Sequence, residues 1–362
     1  GSSQQGYAGY DEGQIGVTDV TWESSFKKNI GFDAELFDRL TLQVDAFHER
    51  RKGMLLRRGT IPFVAGYFPW IIPYGNLGES KNRGIDASLK FQNKPAANQV
   101  YYSFMGNFTY AHNEIIENDQ PIREGVAYQS AKGHAIGAPY GLQAIGLFKD
   151  QDEIDRSPLQ QFGPVRPGDI KYADVNGDGV INADDEIFLD GHPRTPEIVY
   201  GFGGTVAWKG VDVSVFFTGA ARTSIFTVGP SIFPFQRGPG SYNILREYYD
   251  NRWTPDNLDA RYPAATPENN SNNFRNSSQY LRDASYLRLK NAEIGYSLPE
   301  MILKRYGFKG LRLFLNGTNL ATFDKLKFLD PESNNGTNSG DYSNINLYPL
   351  QRSLNFGLQV NF

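Results

Sequence analysis

Leu354-Asn355-Phe356-Gly357-Leu358-Gln359-Val360-Asn361-Phe362 alternates strictly with a period of two: every even position is apolar and every odd one is small or polar. That is the pattern of a β-strand with one face in an apolar medium and the other in a polar one. The same division appears in Leu40, Leu42, Val44 and Ala46 against Thr41, Gln43 and Asp45. It follows Ile30, Phe32, Ala34 and Leu36, so Asp38-Arg39 is read as the turn of a hairpin. Further strands are expected over 85–91, 102–110, 200–208, 211–217 and 311–317, with Lys209-Gly210 turning between two of them. Tyr286-Leu287-Arg288-Leu289-Lys290 changes phase to Ala292, Ile294 and Tyr296, which places a bulge near Asn291. The total is about nine to eleven strands. Helix is limited to short turns within 140–155 and 242–249.

Composition narrows the classes. The chain has 362 residues, 14% of them aromatic, with 38 Gly and 20 Pro and only 21% charged. That content of large apolar rings argues against disorder. A formal net charge of -4 gives no basic footprint for a phosphate backbone, so nucleic acid is excluded as a partner. The absence of Cys removes disulfides, thiolate zinc sites and a cysteine nucleophile together. Mean hydropathy is -0.48, against a membrane-spanning helix. It does not argue against a transmembrane barrel, whose strands need only about ten residues of alternating polarity. Gly1-Ser2-Ser3-Gln4-Gln5 carries no signal-peptide features, and the chain is expected to be a fragment.

Connections are very unequal. Some strand pairs are joined by a few residues, whereas 113–197 and 219–284 read as long loops. A β-sandwich and a barrel share the same alternation, and periodicity does not separate them. Short turns on one rim and long loops on the other favour the barrel. A calcium-stabilised surface β-sandwich adhesin, with no transport activity, is the alternative.

The sharpest local motif is Asp174-Val175-Asn176-Gly177-Asp178-Gly179-Val180-Ile181-Asn182-Ala183-Asp184-Asp185. Asp174, Asn176 and Asp178 offer side-chain oxygens at the first, third and fifth positions of a calcium loop. Gly179 makes the sharp turn, and Val180 gives its carbonyl. Asn182 and Asp185 complete the set, with Asp185 where an EF-hand has Glu. Hard oxygen donors favour Ca²⁺ in a structural role, pinning a long loop. His48, His112, His134 and His192 have no metal-ligand spacing. Asp152, Glu153, Asp155, Glu186 and Asp190 form no positioned glycosidase pair, and with no nucleophile elbow or phosphate loop the chain is not expected to be an enzyme.

Several segments together resemble the C-terminal part of the barrel of SusC/RagA-family TonB-dependent outer-membrane transporters of Bacteroidetes. They are Thr21-Trp22-Glu23 with Asn29-Ile30-Gly31-Phe32-Asp33, Asn82-Arg83-Gly84-Ile85-Asp86, and Pro167-Gly168-Asp169-Ile170-Lys171-Tyr172 leading into Asp174–Gly179. Gly191–Phe202, Tyr286–Asn291, Asn319-Leu320, Asp330-Pro331-Glu332, Tyr348-Pro349 and Phe362 continue the series in order. The resemblance implies an all-β fold, part of an antiparallel transmembrane barrel of about 22 strands. Plug, TonB box and the N-terminal remainder of the wall would lie outside residues 1–362. It also implies import of a glycan or oligopeptide driven by the TonB complex, with a SusD-like lipoprotein as partner and outer-membrane lipid around the wall. Phe362 would belong to the signal for barrel insertion. The long loops would face the cell exterior and carry partner contact and substrate capture. Phe233, Phe235, Tyr248, Tyr249 and Trp253, beside the Asn-rich runs, are the candidates for that surface.

Overall fold

The computed structural model describes residues 13–66, 68, 70–96, 99–229, 232–235, 243–268, 270–304, 307–326, 328–332 and 349–362. Nine strands form one sheet in chain order: β1 (Ser24–Leu36), β2 (Leu40–Arg57), β3 (Tyr74–Gln92), β4 (Tyr101–Glu117), β5 (Ile198–Trp208), β6 (Val211–Ala221), β7 (Tyr286–Ser297), β8 (Gly310–Asp324) and β9 (Ser353–Asn361). Each strand pairs with its successor, so the sheet is an up-and-down meander. Two compact units share the chain: Gly1–Lys28, Phe47–Arg83 and Asn113–Ile136 make one, and Asn29–Ala46, Gly84–His112 and Gly137–Phe362 the other.

The turns form as the sequence reading expects, with one adjustment. Lys209 and Gly210 both have positive φ, 48° and 87°, which matches the twist of the strands they join. The first hairpin turns on Phe37–Arg39, where Phe37 and Asp38 have φ of 57° and 50°, one residue wider than Asp38-Arg39. The register slips between Leu289 and Asn291, the bulge expected there. β3, β4 and β6 run longer than expected, to Tyr74, Glu117 and Ala221. Among the described residues the α-helices are α1 (Gln151–Asp155), α2 (Arg246–Asp250) and α3 (Glu300–Lys304), besides single 3₁₀ turns such as Ala183–Asp185.

Register assigns the two faces. Tyr102 lies opposite Val206, Val206 opposite Val213, Val213 opposite Ile294, Ile294 opposite Leu315, and Leu315 opposite Phe356. These six side chains are all exposed, from 42% at Val213 to 74% at Phe356. The next row, one residue along, reads Ser103, Thr205, Ser214, Glu293, Asn316 and Asn355, and points to the other side. An apolar row crossing six strands, exposed throughout, is what a water-soluble protein avoids and what hydrocarbon requires. Tyr102 and Tyr110 stand about 26 Å apart along β4, close to the height of a lipid-facing band. Trp208 and Tyr296 lie near the first of these levels, and Phe108 and Tyr200 near the second. Among the described residues the other sheets are two-stranded, and no second sheet covers the apolar face. The sandwich alternative is thereby corrected, because its defining partner sheet is missing.

The long connections are not loose loops. Tyr140–Leu142 pairs with Glu186–Phe188, Ala144–Leu147 with Ile170–Tyr172, Leu159–Gln160 with Val180–Ile181, and Ser224–Phe226 with Leu281–Asp283. They enclose a core of their own, in which Leu142, Ile170 and Tyr280 are 0% exposed. This cap belongs to the same unit as β5–β9.

Candidate functional site

The cap is held together by residues far apart in the chain. Asp169, wholly buried, accepts hydrogen bonds from Asn270 Nδ2 and Asn273 Nδ2 at 2.8 Å each and from the Arg166 amide at 2.8 Å. Asn273 Oδ1 accepts the Ile170 amide, and Asn272 joins Gln160 and the Ile170 carbonyl. Burial pushes the Asp169 carboxyl up, against the Arg166, Asn273 and Asn270 donors that favour its ionised form. Asn270, Asn272 and Asn273 therefore supply no docking surface, since all three are buried; Asn269 and the second Asn-rich run, 333–339, lie outside the described residues. Gly168 (φ 89°) fits this motif against Trp253, since a Cβ there would lie 2.5 Å from the indole.

A second cluster sits where the cap meets the sheet. Arg288, 2% exposed on β7, donates to Asp330 Oδ1 at 2.5 Å and Glu332 Oε2 at 3.0 Å, while Tyr286 Oη donates to Glu332 Oε1 at 2.7 Å. Burial works to raise the Asp330 carboxyl, but Arg288 and the amides of Glu332 and Leu350 outweigh it and hold it below its usual value. Glu197, 4% exposed at the entry to β5, meets Arg222 Nε at 2.7 Å and the His112 ring. On the polar face of the sheet Arg312 bridges Asp212 and Glu293, and Asn316 links Glu293 to Asn355. A face of alternating donors and acceptors suits a hydrated passage.

The calcium-loop residues lie together in one turn. Asp174 accepts the amides of Gly177 and Gly179, and Asp185 those of Val175 and Asn182, all at 2.8–2.9 Å. Asn182 and Asp185 form a capping box on the short helix Ala183–Asp185. Asp178 accepts the Val180 amide, and Asn176 binds Asp178. Each carboxylate oxygen keeps a second lone pair. Among the described residues, however, no three His, Cys, Asp or Glu side chains converge closely enough to hold a metal ion. The donor set has the chemistry for Ca²⁺, and its carboxylates stand apart.

The aromatic candidates divide, which corrects their assignment to one outward surface. Phe233 is 4% exposed and stacks on Phe274 at 4.5 Å, and Tyr248 is 2% exposed and stacks on Tyr262 at 4.7 Å. Both belong to the core of the cap, because packing gains more from these rings than solvent exposure does. Phe235 is half-buried and Trp253 wedges against Gly168. Tyr249 alone of the five is exposed, at 52%, with the Arg252 guanidinium over its ring. Phe362 is 79% exposed, beside Phe308. The sequence reading missed the pinning role of Asp169 and the Arg288 cluster. Their motifs were visible, but the partners lie 101 and 42 residues away, with no local signal linking them.

Comparison with known proteins places these observations. The family described as "TonB dependent receptor-like, beta-barrel" matches residues 1–320. TonB-dependent receptor P26 of Formosa agariphila is 28% identical over 358 residues, covering 95% of this chain and 35% of that protein. TonB-dependent receptor SusC of Bacteroides thetaiotaomicron is 22% identical, covering 93% and 32%. Among solved structures, the RagAB peptide importer in its "open-open" state shares the fold with a TM-score of 0.70 at 24% identity, covering 97% of this chain and 36% of that one. The chain thus spans about a third of the length of the curated relatives it matches. With its lipid-facing sheet, polar inner face and folded cap, the chain belongs to the TonB-dependent receptor-like β-barrel family of outer-membrane proteins.

Proposed function

We propose that the chain forms part of the wall and the outward-facing cap of an outer-membrane importer that takes up an oligomeric nutrient, a glycan or an oligopeptide, with energy supplied through TonB. The observation that carries this reading is the opposition of the two faces: an apolar row from Tyr102 to Phe356 beside a polar row from Ser103 to Asn355. Such a wall separates hydrocarbon from a hydrated interior. The cap, with its own core, is a rigid surface suited to a SusD-like lipoprotein, and its exposed apolar positions Ile145, Leu159 and Tyr249 are the proposed contacts. Likeness to SusC and to the RagAB peptide importer supports the import reading. Phe362 is assigned to the barrel-insertion signal. The loop of Asp174, Asn176, Asp178, Val180, Asn182 and Asp185 would take Ca²⁺ as a structural ion, drawing together carboxylates that stand apart without it.

The test replaces Ile145, Leu159 and Tyr249 together by Glu in the full-length transporter. Co-purification of the lipoprotein and growth on the cognate nutrient should both fall while barrel abundance stays normal. If neither changes, the cap is not the docking surface and the reading fails.

A further inference from the structure

β2 changes character along its length without changing side. Its alternate positions read Leu40, Leu42, Val44 and Ala46, then His48, Arg50 and Lys52. Ion pairs bring neighbouring strands into line on that side: Arg50 and Lys52 with Glu79 of β3, and Lys81 of β3 with Glu114 of β4. Glu114 continues the even positions of β4, which carry the exposed apolar Tyr102, Phe104 and Phe108 and the half-buried Tyr110. The odd positions of β3 add Arg83, which is exposed and has no ion-pair or hydrogen-bond partner among the described residues. The basic stretch is therefore on the lipid-facing side, just past the apolar run of its own strands.

Four cations, Arg50, Lys52, Lys81 and Arg83, meet two carboxylates, Glu79 and Glu114, so two positive charges are left over beside His48. His48, Arg50, Lys81 and Glu114, with Ile116 and Gly133, line a cavity of about 380 Å³. Surplus cations at the border of hydrocarbon meet lipid headgroups before they meet bulk water, and phosphate is the group that matches them. We infer that this rim of β2 and β3 is a docking site for the phosphate-bearing headgroup of an anionic membrane lipid. Arg83 supplies unneutralised charge, Arg50 and Lys52 have one carboxylate, Glu79, between them, and Lys81 shares its charge between Glu114 and phosphate. A soluble acidic peptide matches the charge but not the adjoining apolar positions, which take acyl chains.

The experiment places the full-length protein in phosphatidylcholine nanodiscs doped with lipid A, then counts retained lipid A by native mass spectrometry after release. The double variant Lys52→Glu/Arg83→Glu should retain on the order of tenfold less. Lys27→Glu, a single reversal of the same kind beside Glu49 on the polar face of the sheet, should match the unaltered protein. If the reversed pair lowers the folded fraction, judged by heat-modifiable mobility, Lys52→Gln/Arg83→Gln is read instead and should retain roughly threefold less. Equal retention by variant and unaltered protein overturns the inference. So does equal retention of lipid A stripped of its phosphates. Displacement of lipid A by inorganic phosphate at equal concentration would instead reveal a free-anion site.

Discussion

The sheet and the cap spend the same kinds of side chain in opposite ways. Phe356 on β9 is 74% exposed and Leu358 57%, whereas Phe226 and Leu142 in the cap are 2% and 0% exposed. In the cap, aromatic and aliphatic groups close a core away from water, and buried polar groups such as Asp169 are matched donor to acceptor. In the sheet the apolar groups point away from the chain, and the polar ones hold the inner face. Exposure of a large apolar residue thus has two meanings in this chain, set by which solvent lies against it.

The joint between the two regions should be the most sensitive point. Arg288→Ala leaves Asp330 without its cation and Glu332 with the Tyr286 hydroxyl and the more distant Lys290, at 3.6 Å. A loss of about 3 to 5 kcal/mol is expected for such a broken buried pair, read by thermal unfolding of the full-length protein. Leu142→Ala should cost the cap about 2 to 5 kcal/mol, while Leu358→Ala changes stability by far less, because lipid fills the space. Equal losses at the two positions would erase the distinction between the regions.

Leu358→Arg reverses the sensitivity of the sheet, with an expected cost of about 2 to 4 kcal/mol near the bilayer midplane. Normal folded yield in outer membranes would count against the face assignment. Asp169→Asn removes the acceptor facing the Arg166 amide and should destabilise the cap by about 1 to 3 kcal/mol.

The two carboxylates also differ in sign with pH. Asp330, held below its ordinary value of 3.8, adds stability that is present above 3.8 and fades as pH falls through its lower folded value. Asp169, raised above 3.8, adds stability that is full below 3.8 and fades as pH rises through its higher folded value. Comparing Asp330→Asn and Asp169→Asn with the unaltered protein from pH 3 to pH 7 should give differences of opposite slope. The smallest expected effect is that of calcium. Millimolar Ca²⁺ should slow proteolysis within 174–185, and Asp178→Ala should abolish the protection without altering barrel abundance. Equal cleavage with and without Ca²⁺ would leave the loop closed by its amide bonds alone.

Most of the sheet was legible in the sequence, because a strand exposed to two media writes its faces as a period of two. The alternation at 354–362, the Lys209-Gly210 turn and the bulge before Asn291 are each local consequences of backbone geometry. That 174–185 forms a tight turn was legible for the same reason: Asp174 and Asp185 close it within a dozen residues. The medium on each side was not, since hydrocarbon and a protein core select the same residues. Only the register, which lines Tyr102 up with Phe356 across six strands and leaves them uncovered, decided for lipid. The cap was the least legible part. Asn270, Asn272 and Asn273 read as a polar surface because composition reports what a residue is, not what lies against it. Their burial depends on Asp169, Ile170 and Gln160 arriving from about a hundred residues earlier, a meeting that chain folding creates and local sequence does not encode.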